Sequence, residues 1–174
     1  MVFLDESGFL LQPLRRRVWA PKGHRPVQRA WDRHDRITGM AAVTRAPWAD
    51  RLGLYVKLLD HNAHTEDFVA FVREIHAHLR RPIILVWDRL PAHRSAVRQL
   101  LANGCDWLRV EWLPPYAPDL DPVEAVWDQS KYGILANVVP EDVEDLNNML
   151  DEVFNTFRLD RNRLHSFYSA ARIH

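Results

Sequence analysis

Apolar and polar positions along this chain change period several times, and the changes outline a series of strands and helices. Met1 to Leu4 is a short apolar run that predicts a strand ending in a turn at Asp5-Glu6-Ser7-Gly8. Arg16 to Ala20 and Arg36 to Thr44 have strand character, with Pro21-Lys22-Gly23 as a turn after the first, and Leu52 to Leu59 predicts a further strand. The spacing then becomes helical at Phe68, Val69, Phe71, Val72, Ile75 and Leu79. Thr65 is the expected N-cap of that helix, Glu66 and Asp67 suit the positive end of its dipole, and Pro82 follows its end. Ile83-Ile84-Leu85-Val86-Trp87 is apolar throughout, the pattern of a strand covered on both faces. A helix from His93 to Ala102, stopped by Asn103-Gly104, leads to a strand from Leu108 to Leu113. Helices are predicted from Asp121 to about Leu135, from Glu141 to Phe157 and from Arg161 to Ala171.

This order predicts one mixed α/β domain over residues 1–174, a central sheet flanked by helices, with no internal repeat or linker. Hydrophobic content of 47% with 26% charged residues excludes a disordered chain. The one cysteine, Cys105, excludes an internal disulfide framework and is expected as a small buried side chain. No run of about 18 apolar residues predicts a membrane span, and no signal peptide opens the chain, so a cytoplasmic protein is expected. The 23 basic and 23 acidic residues cancel, which argues against a dedicated nucleic-acid-binding domain. Their distribution keeps a local role open. Basic side chains gather at Arg15-Arg16-Arg17, then Lys22, His24, Arg25 and Arg29, and again at Arg89, Arg94 and Arg98. A solvated face explains the acidic run from Glu141 to Glu152, whereas a basic stretch can steer a polyanion at zero net charge.

Candidate chemistry lies where strands end. In open α/β sheets, ligands gather outside the carboxyl ends of the strands. Asp5 and Asp88 each follow an apolar run, and Glu124 lies beyond a third, past the stiff corner Leu113-Pro114-Pro115-Tyr116-Ala117-Pro118. Asp121 is the expected N-cap and Pro122 the first residue of the helix that carries Glu124. Three carboxylates meeting at one sheet edge suit magnesium or manganese, and a pair of such ions can activate water at a phosphodiester. Each acid also has a plain structural reading, as a turn residue, a cap or a complement to a helix dipole. Glu6 and Asp121 stand close enough to take either role.

Four segments carry a family resemblance: Phe3-Leu4-Asp5-Glu6-Ser7-Gly8-Phe9, Trp19-Ala20-Pro21-Lys22-Gly23, Val86-Trp87-Asp88 with His93-Arg94-Ser95, and Leu113 to Trp127. Together they resemble the catalytic domain of bacterial insertion-sequence transposases related to the mariner group. The resemblance implies a ribonuclease H-like fold and an Asp-Asp-Glu triad at Asp5, Asp88 and Glu124, with 35 residues between the last two. It implies two Mg2+ ions (Mn2+ as a substitute), DNA as substrate, and strand cleavage followed by strand transfer. Lys131 matches a family lysine, whereas Arg89 and Asp121 stand where relatives often carry Asn. Helix-turn-helix domains normally precede this part. The chain therefore resembles the catalytic half alone, expected to work with a separately encoded DNA-reading half and as a homo-oligomer on DNA, associated with the nucleoid when bound. The alternatives are a metal-dependent nuclease without strand transfer, or an inactive remnant that binds DNA or dimerises.

The expected DNA contacts are Arg15, Arg16, Arg17, Lys22, Arg25, His93, Arg94 and Lys131. His93 is open to three readings: touching a phosphate, ordering the second acid, or capping a helix start. Trp19 and Trp31, flanked by arginines, are expected to pack rather than to stack on bases. His61 and His64 are read as loop and cap residues, and His76 and His78 point to different faces of their helix.

Overall fold

A computed structural model describes residues 1–12, 14–24, 27, 35–48, 51–115 and 117–171. Its centre is a five-stranded mixed sheet. In chain order the strands are β1 (Val2–Leu10), β2 (Arg36–Arg45), β3 (Leu52–Leu59), β4 (Ile83–Trp87) and β5 (Leu108–Trp112), and they lie side by side as β3-β2-β1-β4-β5. The first three pair antiparallel, while β4 and β5 extend the sheet in parallel from β1. Helices α1 (Thr65–Leu79) and α2 (Pro91–Ala102) cover one face. Helices α3 (Pro122–Asp128), α4 (Val143–Leu159) and α5 (Arg161–Ala170) cover the other.

Because side chains alternate along a strand, β1 feeds two cores at once. Val2 and Leu4 pack with Met40, Phe68, Leu85 and Leu100 on the α1–α2 side. Phe3 and Phe9 pack with Val43, Trp127, Phe154 and Phe157 on the other. The same parity sends Asp5 and Ser7 toward α3, and Glu6 toward α2.

Most predicted elements are present, and the departures have physical causes. No turn interrupts β1 at residues 5–8, because β2 supplies an unbroken antiparallel partner, from Asp5 opposite Ala41 to Gly8 opposite Thr38. Ladder pairing overrides local turn propensity there. Residues 14–20 form no strand; they run exposed outside the five-stranded sheet. The Arg16 amide donates to Asn137 Oδ1 at 2.8 Å, and the Asn137 amide donates to Leu14 O at 3.0 Å. The predicted turn at Pro21-Lys22-Gly23 forms, with Gly23 at φ 86° and the His24 amide donating to Pro21 O at 3.0 Å. Arg25, Arg29 and Trp31 lie outside the described residues.

The strand β4 is fully covered on one face, where Ile83, Leu85 and Trp87 are buried, and partly on the other, where Val86 packs against the α3–α5 core while Ile84 is exposed. His64, not Thr65, precedes α1, and the Asp67 carboxylate accepts from the His64 amide at 2.8 Å. Pro91 opens α2 two residues ahead of the predicted start. The helix predicted from Asp121 to Leu135 changes pitch after Asp128 and continues as a π-helical turn, Gln129–Ile134. Among the described residues Trp19 is fully exposed rather than packed. Cys105 is buried, as expected. Among the described residues no helix is long and apolar enough to cross a membrane.

Candidate active site

Strands β1 and β4 pair only at Val2 with Leu85 and at Phe3 with Val86. Two residues further along each strand stand Asp5 and Asp88, side by side where the two strands part. Asp5 remains within β1, and Asp88 is the first residue beyond β4. Next door, β5 stays in register through Trp87 opposite Trp112, and the Leu113 amide donates to Trp87 O at 2.8 Å. The chain then turns through Pro114 and Pro115 into a short 3-10 segment, Pro118–Leu120, and enters α3. Asp121 caps that helix by accepting from the Val123 amide at 2.9 Å, so Glu124 sits in its first turn. Asp5, Asp88, Asp121 and Glu124 all line one cleft of about 460 Å³, walled by Arg89, Leu90 and the proline corner.

Besides the capping Asp121, two more of these carboxylates are held by neighbours. The Trp127 indole donates from Nε1 to Asp5 Oδ2 at 2.9 Å. That ring is itself fixed edge-on against Phe9 and Phe154. Asp88 is held through its Oδ1, which accepts from the Leu90 amide at 3.1 Å and from His93 Nδ1. The other His93 nitrogen, Nε2, donates to Glu6 Oε2 at 3.0 Å. A carboxylate thus faces each ring nitrogen, an arrangement that favours the doubly protonated imidazolium. Burial alone would lower its pKa, but the Glu6 and Asp88 carboxylates outweigh burial and raise it. His93 is fully buried, stacked 4.0 Å from Trp87 and edge-on to Phe68. That burial corrects its place among the DNA contacts, since no phosphate can reach it.

Crowded acids resist ionisation. Burial first, then the charges of Glu6 and Glu124, push Asp5 up to about 7, against the opposing Trp127 bond. Asp121 is driven well above the ordinary carboxylate range by burial and then by Asp5, Glu124 and Asp88. Glu124 is raised by partial burial and by Asp128, with Lys131 opposing. Burial lowers the Lys131 ammonium against the pull of Glu124, Asp5 and Asp128. Lys131 donates to Ser7 Oγ at 2.5 Å. The π-helical turn delivers it there, and the Arg16 guanidinium donates to Tyr132 O within the same turn at 2.5 Å.

Among the described residues no three Asp, Glu, His or Cys side chains close on one point at ligating distance. The convergence is that of a shared cleft. Its donors are oxygens, the set that hard divalent cations take, and a cation among them would offset the repulsion that raises Asp5.

The family profile of the DDE superfamily endonucleases matches residues 1–147. The chain belongs to that family. No curated protein sequence matches it. Among solved structures it is similar to the Mos1 transposase in a paired-end complex with the left transposon end, at 17% identity and TM-score 0.68. The Mos1 strand transfer complex matches at 21% identity and TM-score 0.66, and the Mos1 mariner paired-end complex with Mn at 20% and 0.65. These alignments cover 98%, 98% and 97% of this chain but only 50%, 50% and 52% of the Mos1 chains. The chain thus spans about half the length of the proteins it matches. The fold is ribonuclease H-like, as the sequence resemblance implied.

The residues expected from sequence divide by position. Asp5, Asp88 and Glu124 reach the cleft together, and Lys131 stands beside it. Arg94 is exposed on α2 and absent from the cleft wall. Arg15, Arg17 and Lys22 are exposed, whereas Arg16 is engaged with Tyr132 and Asn137. Sequence reasoning missed Trp127 as the partner of Asp5. Strand parity offers a signal for it, because Phe3, Asp5 and Phe9 share the face that α3 covers. Away from the cleft, His61 contacts Asp60 and Asp67, His76 stacks on Trp107, and His78 meets Tyr55.

Proposed function

We propose that this chain is the catalytic domain of a DNA transposase, which cuts a DNA strand and joins the freed 3′ end to target DNA. The observation that carries the reading is the convergence of Asp5, Asp88 and Glu124 on one cleft where β1 and β4 part. Family membership and the likeness to Mos1 complexes support it. Asp5, Asp88 and Glu124 are the residues that would hold two Mg2+ ions, with Mn2+ able to substitute. Bound there, such ions make water nucleophilic and stabilise the leaving oxygen of a phosphodiester.

The chain's own part is to orient and to balance charge. Trp127 holds Asp5, and the N-cap at Asp121 places Glu124 at the start of α3. Arg89 on the cleft wall and Lys131 beside it supply positive charge for a phosphate. Exposed Arg15, Arg17 and Lys22 extend a basic track toward the DNA backbone. A second copy on DNA, and a DNA-reading part such as a helix-turn-helix, belong to the same proposal.

The test is nicking of element-end DNA by purified protein with Mg2+ or Mn2+, followed by strand transfer from a pre-nicked donor. Asp88→Asn and Glu124→Gln are each expected to abolish both steps. Unchanged nicking by Asp88→Asn would sink the assignment. Nicking without strand transfer would leave a metal-dependent nuclease in its place.

A further inference from the structure

Two donors meet on a single oxygen of Asp88, and one of them comes from a buried side chain that also grips β1. Leu90 and His93 both donate to Asp88 Oδ1, while no described residue bonds Oδ2. His93 has no freedom to turn. Its ring is fully buried, stacked on Trp87, edge-on to Phe68 and fastened at its far nitrogen to Glu6. Glu6 stands on β1 next to Asp5, on the opposite face of the strand. The ring therefore spans the gap that opens after Phe3 and Val86, the last residues at which β1 and β4 pair.

We propose that His93 is a positioning residue, clamped by Glu6, that fixes the Asp88 carboxylate so that Oδ2 alone is offered to a cation in the cleft. The inference rests on the metal-binding reading of that cleft. It assigns to Glu6 a role as the anchor of the histidine and not as a ligand. A carboxylate on a free side chain must lose rotamer freedom when it binds an ion, whereas one fixed beforehand loses little. Partners that orient a metal ligand typically change affinity by about 10- to 100-fold when removed.

A merely structural histidine would affect folding and leave ion affinity alone, which makes the two roles separable. Mn2+ is titrated calorimetrically into wild type, His93→Asn and His93→Gln, and the thermal midpoint of each is recorded. The Asn amide nitrogen lies near the position of Nδ1 and can still donate to Asp88. The longer Gln reaches toward Glu6 and abandons Asp88. His93→Asn is expected to bind Mn2+ within a few-fold of wild type, and His93→Gln to bind at least about 10-fold more weakly while still melting cooperatively. Equal affinities in wild type and a folded His93→Gln overturn the proposal. Should both variants fail to fold, Glu6→Gln carries the comparison: it keeps the shape, weakens the anchor and is expected to weaken Mn2+ binding severalfold.

If wild type takes up no Mn2+, the metal reading of the cleft fails, and His93 is then judged on the metal-free protein by NMR. Two ring N–H protons shifted downfield and protected from exchange support the clamp. A ring with a freely exchanging nitrogen overturns it.

Discussion

Asp5 is buried beside other acids, and under the proposed metal-binding role it would also have to be anionic to bind a cation. Its pKa in the folded chain is about 7, against roughly 4 for an unfolded aspartate. The native state therefore holds that proton more firmly than the unfolded chain does. The resulting stability is fully present below about pH 4 and is lost as pH rises through about 7. Asp5→Asn lacks this penalty and can still accept from Trp127. Without metal, its thermal midpoint is expected to exceed that of wild type at pH 8 and to match it near pH 4, roughly the ordinary carboxylate pKa. A gap that is the same at both pH values would refute the assignment. Added Mn2+ is expected to raise the midpoint of wild type alone at pH 8. Trp127→Phe removes the 2.9 Å donor to Asp5 and leaves a void in a packed face. Urea unfolding should show a loss of about 2–4 kcal/mol, from the orphaned acceptor and the cavity together. These roles were only half legible in the sequence. Asp5, Asp88 and Glu124 could be named from their places after strands, but nothing local says that an indole 122 residues away meets Asp5.

Elements supply the placement that residue types alone do not. The parting of β1 and β4 brings two acids level, and the short helix α3 brings the third. Close packing keeps α3 where it is. Gly39 on β2 faces both rings that fix the site, and a Cβ there would lie 3.1 Å from Phe9 Cε2 and 3.4 Å from Trp127 Cη2. Gly39→Val must push the indole away. A cost of about 1–3 kcal/mol in urea unfolding is expected, together with weaker Mn2+ binding through the displaced Asp5 partner. An unchanged free energy of unfolding would show that α3 can shift without consequence. The helical periods of α1 and α4 and the apolar run of β4 were readable because each recurs within its own segment. The supposed turn at residues 5–8 was misread, since its polar residues satisfy turn chemistry locally while β2 pairs with them in the fold. The π-helical turn after Asp128 was likewise hidden; its backbone is completed by Arg16, more than 100 residues earlier in the chain.

Across the whole molecule, zero net charge conceals an uneven surface. Exposed Arg15, Arg17 and Lys22 lie on an arm tied to the π-helical turn, and that turn places Lys131 beside the acidic cleft. If this arm follows a DNA backbone, reversing Arg15, Arg17 and Lys22 to Glu should weaken binding to any duplex. Each lost phosphate contact is expected to flatten the log–log salt dependence by about 0.9, as read by fluorescence anisotropy. A slope equal to that of wild type would place the DNA on another face. The sequence by itself determined the α/β class and most element boundaries, because periodicity and caps are written in neighbouring residues, and it offered Asp5, Asp88 and Glu124 as candidates through strand ends and a family resemblance. Only the tertiary structure decided which groups hold those acids, and it moved His93 from the DNA surface to a buried bridge between Glu6 and Asp88. The reason is physical. A hydrogen bond or a shifted pKa depends on which groups lie within a few ångströms, and long-range pairing, not sequence spacing, sets those distances.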